Sequence, residues 1–184
     1  MKLPTIALLY DYAASSPPRR AGLLLVLASA VIAGAWFTEI VLGYVPCKLC
    51  LIQRWPFYFA IPLAALALLI TGPLRTPRAA WPAFAMLGAI FMVSAALGAH
   101  HAGVEWGWWA GPADCGGRVA DGPANVADLL SAMQKTRIVS CTEAPFRILG
   151  LSLAGWNALI SFVLATIAIR GWRGRRVLPF TSAR

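Results

Sequence analysis

Four apolar runs, each long enough to cross a lipid bilayer, constrain this chain more than any other feature of its sequence. A spanning helix needs about 20 consecutive, mostly apolar residues. The runs lie at about 21–45, 51–70, 79–99 and 151–169. The sequence therefore predicts an all-α integral membrane protein, built as a four-transmembrane-helix bundle in a single domain over residues 1–184.

Composition supports a membrane protein and argues against two other classes. Hydrophobic residues make up 59% of the chain and charged residues 12%, too little polar surface for a soluble domain. The net charge of +9 comes from basic residues that flank the apolar runs, so no nucleic-acid partner is expected. Ala28-Ser29-Ala30 resembles a signal-peptide cleavage site, but apolarity continues beyond it and favours an uncleaved anchor.

The distribution of charge predicts the orientation in the membrane. The lead before the first run, the turn with Arg75 and Arg78, and the tail after the fourth run are basic and nearly free of acids. The long segment at about 100–150 carries acids and bases together. By the positive-inside rule, both termini face the cytoplasm, and the long loop between the third and fourth spans lies outside.

A Cys-x-x-Cys pair lies between the first two runs, at Cys47 and Cys50. Such a pair closes into an easily reduced disulfide, and its open thiolate is favoured by a helix N-terminus and by a nearby cation. Cys50 stands where the second run begins, so its sulfur is expected to feel the positive end of that helix. Arg54 follows at i+4, on the same helix face and about one turn deeper.

Arg54 is an ionisable residue inside a spanning segment, and such residues are functional candidates by default. Snorkelling to the interface is the structural alternative. Glu39 lies at a similar depth in the first run, which suggests an ion pair between the two side chains.

The loop at 100–150 holds the other two cysteines, Cys115 and Cys141. The short spacing of Cys47 and Cys50 pairs them naturally and leaves Cys115 with Cys141, although four cysteines allow three pairings. From the residues alone, the second pair is equally compatible with a disulfide that only stabilises the loop and with one that is exposed to attack by a thiolate. A short amphipathic helix is predicted from Asn125 to about Arg137, either in the membrane interface or on the bundle mouth.

Three other interpretations of the cysteines fit the sequence less well. An all-cysteine zinc site usually carries two closely spaced pairs, and the second pair here is widely spaced. Haem attachment needs a histidine after the second cysteine, where Leu51 stands. A purely structural disulfide leaves Arg54 unexplained. Redox activity is therefore favoured, and no metal site is expected. His100 and His101 near the interface could exchange protons or remain ordinary surface residues.

Taken together, the residues resemble the DsbB family, the disulfide bond formation protein B family of bacterial inner-membrane thiol oxidases. The matching features are Pro46–Arg54 between the first two spans, Cys115 and Cys141 in the second external loop, His101–Trp109, and Phe146–Leu151 before the last span. The resemblance covers nearly the whole chain and implies a four-helix membrane bundle.

The resemblance also implies an activity, which is reoxidation of a periplasmic, DsbA-like thioredoxin-fold dithiol oxidase with transfer of the electrons to a membrane quinone. Carried over by motif, Cys115 would form the mixed disulfide with the partner, and Cys141 would then attack Cys47. Cys50 would face the quinone as a thiolate, with Arg54 stabilising the charged complex.

By the same resemblance, His101 would lie on the quinone side of the site. The quinone would be ubiquinone or menaquinone. Two alternatives stay open: a relative dedicated to one specialised thioredoxin-fold partner, and a non-catalytic four-span scaffold with structural disulfides. A vitamin K epoxide reductase-like enzyme is disfavoured, because its Cys-x-x-Cys lies late in the bundle.

Overall fold

A computed structural model describes residues 16–74, 76–112, 137–138 and 140–173. Four helices in this part of the chain are long and apolar enough to span a membrane, which confirms the predicted fold class. They are α1 (Pro17–Ile40), α2 (Lys48–Thr71), α3 (Trp81–Glu105) and α4 (Leu153–Arg173). A 3₁₀ turn at Pro77–Ala80 leads into α3.

Several helix boundaries differ from the ends of the apolar runs, and α1, predicted to end near residue 45, ends at Ile40. α1 starts earlier, because two prolines occupy its first positions, where a missing N–H has no cost. α2 starts at Lys48 and so takes in Cys50. α3 continues past the predicted end near residue 99 to Glu105. The predicted loop helix lies outside the described residues, except that Arg137 belongs to a short strand.

The bundle is held together by close pairing of neighbouring helices. The most extensive packing is between α3 and α4, followed by that between α1 and α2 and that between α2 and α3. At Gly98 of α3, an added Cβ would lie 2.7 Å from the backbone nitrogen of Ala158 in α4. Small residues let membrane helices approach in this way. The gaps elsewhere are filled by large buried side chains such as Phe57, Phe84 and Phe91.

The outer face of the bundle is apolar, as contact with lipid requires. Large hydrophobic side chains on all four helices are exposed. Examples are Val26 on α1, Leu69 on α2, Val93 on α3 and Phe162 on α4. α2 also runs unbroken through Pro56 and Pro62, which spanning helices tolerate when neighbouring groups satisfy the freed backbone.

Two short pieces of sheet organise the end of the bundle that carries the cysteines. Strand β1 (Tyr44–Val45) pairs in parallel with β2 (Arg137–Ile138), so the connection before α2 is bonded to the connection between α3 and α4. The chain turns into β1 at Gly43, whose φ of +70° suits glycine.

The second piece of sheet leads into the last helix. Strands β3 (Arg147–Ile148) and β4 (Leu151–Ser152) form an antiparallel hairpin. Both residues of its turn, Leu149 and Gly150, have positive φ, as a type I′ turn requires. Ser152 then accepts a hydrogen bond from the backbone N–H of Gly155 and helps begin α4.

Candidate active site

Cys47 and Cys50 are free thiols held at the N-terminus of α2. Cys47 is the residue that caps the helix, and its sulfur accepts a hydrogen bond from the backbone N–H of Cys50 at 3.2 Å. The two sulfur atoms lie 2.8 Å apart in a hydrogen bond between the thiol groups. They are therefore placed to share one proton and to form a disulfide when two electrons are removed.

The surroundings of Cys47 stabilise its thiolate. The pKa of Cys47 is lowered to about 5, mainly by the hydrogen bond with Cys50 and also by His101, against the opposing effect of burial. The sequence predicted that the helix N-terminus would act on the sulfur of Cys50. The structure places the sulfur of Cys47 there instead, because α2 begins one residue after Cys47.

Cys141 lies beside this pair. It is fully buried and is disulfide-bonded. The Sγ atoms of Cys141 and Cys47 and a ring nitrogen of His101 all lie within 4.8 Å of one another. A sulfur already in a disulfide is not the thiolate that a metal prefers. The cluster suits thiol–disulfide exchange better than metal binding. Cys115 lies outside the described residues.

His101 is buried against Cys47 and belongs to a chain of hydrogen bonds between helices. Asn157 of α4 donates from Nδ2 to Oε1 of Gln53 at 2.6 Å. The amide nitrogen of Gln53 then faces Nδ1 of His101 at 2.6 Å. Because that nitrogen is a donor, Nδ1 is an acceptor, and the neutral ring carries its proton on Nε2. Nε2 in turn lies 3.9 Å from the sulfur of Cys47.

The neighbouring His100 has a different environment. Its ring is exposed and stacks on Trp109 with the ring centroids 5.5 Å apart. The indole nitrogen of Trp109 donates to the backbone oxygen of His100 at 2.9 Å. Of these two adjacent histidines, His101 is therefore the one that contacts the cysteines.

Arg54 pairs with Glu39, as the sequence suggested. Its Nη1 donates to a carboxylate oxygen of Glu39, and its Nη2 donates to the backbone oxygen of Ala35 at 3.2 Å. The guanidinium is largely buried, with 11% of the side chain exposed, so the pair holds a cation at a fixed depth in the bundle.

A cavity of about 500 Å³ opens beside the cysteine pair. Its walls come from α1, α2, the end of α3, the β3–β4 hairpin and the start of α4. Most of the lining is apolar or aromatic, including Phe37, Phe57 and Trp156. Several polar groups also line it, and those nearest the cysteine pair are Cys50, Gln53, Arg54, His101, Glu105 and Asn157. Such a cavity has the size and character of a site for a small, largely apolar ligand.

Sequence analysis missed three of these polar residues. Glu105 was counted as part of a loop, but α3 extends to it, and it lies one turn beyond His101 on the same face. Gln53 and Asn157 sit inside apolar runs. Polar residues in such positions usually face the bundle interior, which was the available signal. Their pairing across helices could not be deduced from spacing.

Comparisons with known proteins agree with this architecture. The family model described as "Disulfide bond formation protein DsbB" matches residues 18–170. A "Disulfide bond formation protein B 1" of Pseudomonas fluorescens is 33% identical over 150 residues, which cover 80% of this chain and 83% of the relative. A "Disulfide bond formation protein B" of Verminephrobacter eiseniae is 32% identical over 171 residues, covering 86% and 90%. No solved structure matches the chain.

Proposed function

Because the chain belongs to the DsbB family of disulfide bond formation proteins, we propose that it reoxidises a DsbA-like dithiol oxidase and passes the electrons to a membrane quinone. The family and the four spanning helices make the chain a multi-pass membrane protein of disulfide formation. The proposal adds the identity of the electron donor and of the electron acceptor.

One observation carries this proposal. The free cysteine pair stands between two different environments. On one side, the sulfur of Cys47 lies within 4.8 Å of the disulfide sulfur of Cys141, which belongs to the long loop. On the other side, Cys50 lines an apolar cavity among the spanning helices. A protein substrate and a lipid-soluble substrate can therefore be served by one pair of sulfurs.

The first half of the reaction is thiol–disulfide exchange. A thiolate of the reduced donor attacks the loop disulfide, at Cys115 if the family motif carries over, and releases Cys141 as a thiolate. Cys141 then attacks Cys47 of the closed Cys47–Cys50 disulfide, and Cys50 leaves with the electron pair. Each step breaks one S–S bond and forms another. Resolution of each mixed disulfide by its remaining thiol leaves Cys47 and Cys50 reduced.

The cavity fits a quinone on chemical grounds. Its apolar walls suit a ring with a hydrophobic tail, and its volume of about 500 Å³ lies in the range of small-ligand sites. When bound, a quinone supplies the capacity to take up two electrons and two protons. Arg54 and Cys50 would contact its polar groups, and the fixed guanidinium would favour negative charge that develops there. Ubiquinone and menaquinone both meet these requirements.

The basic flanks of the spanning segments support an orientation for this reaction. With basic flanks toward the cytoplasm, the cysteine end of the bundle faces the periplasm of a bacterial inner membrane. Disulfides persist in that compartment. This orientation belongs to the proposal and is tested by labelling Cys47 or Cys50 in intact cells with a thiol reagent that cannot cross the inner membrane.

The test of the function is quinone reduction by the purified protein in detergent, followed by the ultraviolet absorbance of the quinone. A reduced thioredoxin-fold dithiol protein serves as donor, with Cys50→Ser and Cys115→Ser alongside. We expect donor-dependent turnover that both substitutions abolish. Folded protein without turnover on ubiquinone and menaquinone analogues would contradict the proposal and favour a scaffold with structural disulfides.

A further inference from the structure

Glu105 is a buried acid that the proposed function leaves without a role. It ends α3, and only 4% of its side chain is exposed. Its Oε1 lies 4.0 Å from Nε2 of His101, and its Oε2 has no hydrogen-bond partner. Glu105 also lines the cavity beside Cys50. Buried polar atoms without a partner are rare in native structures, so this oxygen needs an explanation.

Bonding capacity provides one explanation. A quinone offers only carbonyl oxygens, which accept hydrogen bonds, whereas the reduced hydroquinone offers hydroxyl groups, which donate them. A carboxyl group can donate a hydrogen bond to a quinone carbonyl only while it carries its proton. It can accept a hydrogen bond from a hydroquinone hydroxyl group both with and without that proton. The unpartnered Oε2 therefore matches both states of such a ligand, provided that its proton moves as the ligand is reduced.

Three polar groups near Glu105 in the cavity, those of His101, Arg54 and Cys50, are less suited to give a proton. Nδ1 of His101 accepts from Gln53, and the proton on Nε2 faces the thiolate of Cys47. Giving up that proton would remove support from the thiolate. Arg54 keeps its protons, because the guanidinium group of arginine is not deprotonated in proteins, and it is held by Glu39. Cys50 has a single proton to give.

We infer that Glu105 donates one of the two protons that quinone reduction requires, while His101 acts as a fixed hydrogen-bond donor to Cys47. This inference rests on the proposed function. The Cys47 thiolate and the Cys50 thiol lose two electrons and form a disulfide. The quinone takes those electrons, the Cys50 proton and the Glu105 proton, and becomes hydroquinone. Glu105 is left as a carboxylate and is reprotonated from the aqueous end of α3, next to the exposed Trp106.

The test compares Glu105→Gln, which keeps the shape but cannot release a proton, with Glu143→Gln, which makes the same change at an exposed position. The reduced protein is mixed with decylubiquinone in detergent, and a single turnover is followed in H₂O and in D₂O. General acid catalysis contributes about 100-fold or more. We expect Glu105→Gln to slow quinone reduction by about that factor and to change the solvent isotope effect, and Glu143→Gln to do neither.

A second measurement separates proton transfer from a structural effect. Reduction of the Cys47–Cys50 disulfide by the dithiol donor, without quinone, is followed by thiol trapping. We expect Glu105→Gln to leave this exchange unchanged. If the exchange and quinone reduction slow by the same factor, Glu105 only supports the fold, and the inference is wrong. It is also wrong if Glu105→Gln reduces decylubiquinone at the wild-type rate.

Infrared difference spectroscopy on the wild-type protein covers the case in which the variant does not fold. Spectra recorded during the single turnover, before Glu105 is reprotonated, should show loss of the band of a protonated carboxyl group and appearance of that of a carboxylate. Lack of such a change in a protein that does reduce the quinone overturns the inference. A wild-type protein that reduces no quinone overturns the proposed function itself, which is a different result.

Discussion

The backbone N–H of Cys50 donates a hydrogen bond to the sulfur of Cys47, 3.2 Å away, so the first cysteine of the pair caps the second membrane helix. A helix N-terminus favours negative charge. This relationship, together with the thiol hydrogen bond between the same two residues, makes Cys47 the thiolate of the reduced pair.

The first prediction concerns the pH dependence of Cys47. Its lowered pKa means that the thiolate persists through neutral pH and is lost only as the pH falls through about 5. Cys50→Ala removes the largest cause of the lowering, so the midpoint for alkylation of Cys47 should move to higher pH. Cys50→Ser keeps a hydroxyl donor and should move it less. Mass spectrometry after alkylation at a series of pH values measures both midpoints, and equal midpoints would contradict the assignment.

The two adjacent histidines offer a matched comparison. His101→Phe removes the ring nitrogen that lies 3.9 Å from the sulfur of Cys47, whereas His100→Phe changes an exposed ring. A hydrogen bond to a charged group is worth about 1.5–3 kcal/mol, so its loss should move the pKa of Cys47 upward by about one to two pH units. The same alkylation profile shows the shift. A similar effect of His100→Phe would mean that the contact with His101 is not the cause.

The ion pair in the cavity wall predicts unequal effects of its two members. Arg54→Met removes the cation that lines the cavity and, under the proposed function, should raise the KM for quinone. Glu39→Gln should be milder, because Arg54 keeps its hydrogen bond to Ala35 and because 39% of the Glu39 side chain is exposed. Quinone titrations of the two variants provide the comparison. Equal increases in KM would indicate that Glu39 positions Arg54 completely.

The close approach of α3 and α4 can be tested with two glycines. Gly98→Ala would place a methyl group 2.7 Å from the backbone of Ala158, and backbone cannot move aside as a flexible side chain can. Overpacking of this kind costs about 1–3 kcal/mol. Gly34→Ala meets nothing within 4 Å and should be neutral or slightly stabilising. Thermal unfolding in detergent measures both, and equal stability would show that the helices separate without cost.

The pattern of apolar residues predicted the number of spanning helices, because the length of an apolar run shows whether it can cross the membrane. It was less reliable at the ends, where the capping residue decides the boundary. α2 starts at Lys48 because Cys47 satisfies its N-terminus, and α3 continues to Glu105 although the run becomes polar near His100. These few residues are the ones that carry the chemistry.

The Glu39–Arg54 ion pair could be predicted from the sequence, because both charged residues lie at a similar depth from one membrane face. The link from Asn157 through Gln53 to His101 was not, because it joins three helices and depends on how they rotate about their axes. The tautomer of His101, and with it the separation of its role from that of Glu105, follows only from the direction of those hydrogen bonds.

The parallel pairing of β1 with β2 fixes where the two loops meet. Tyr44 lies opposite Arg137 and Val45 opposite Ile138. Cys47 follows the end of β1 by two residues, and Cys141 follows the end of β2 by three. Because backbone groups make this ladder, its register does not depend on side-chain identity. Substitutions at β1 and β2 should therefore preserve this register. Inserting or deleting one residue between Ile138 and Cys141 would instead move the sulfur atom of Cys141 away from that of Cys47. In related chains, the length of this connection should vary less than its sequence.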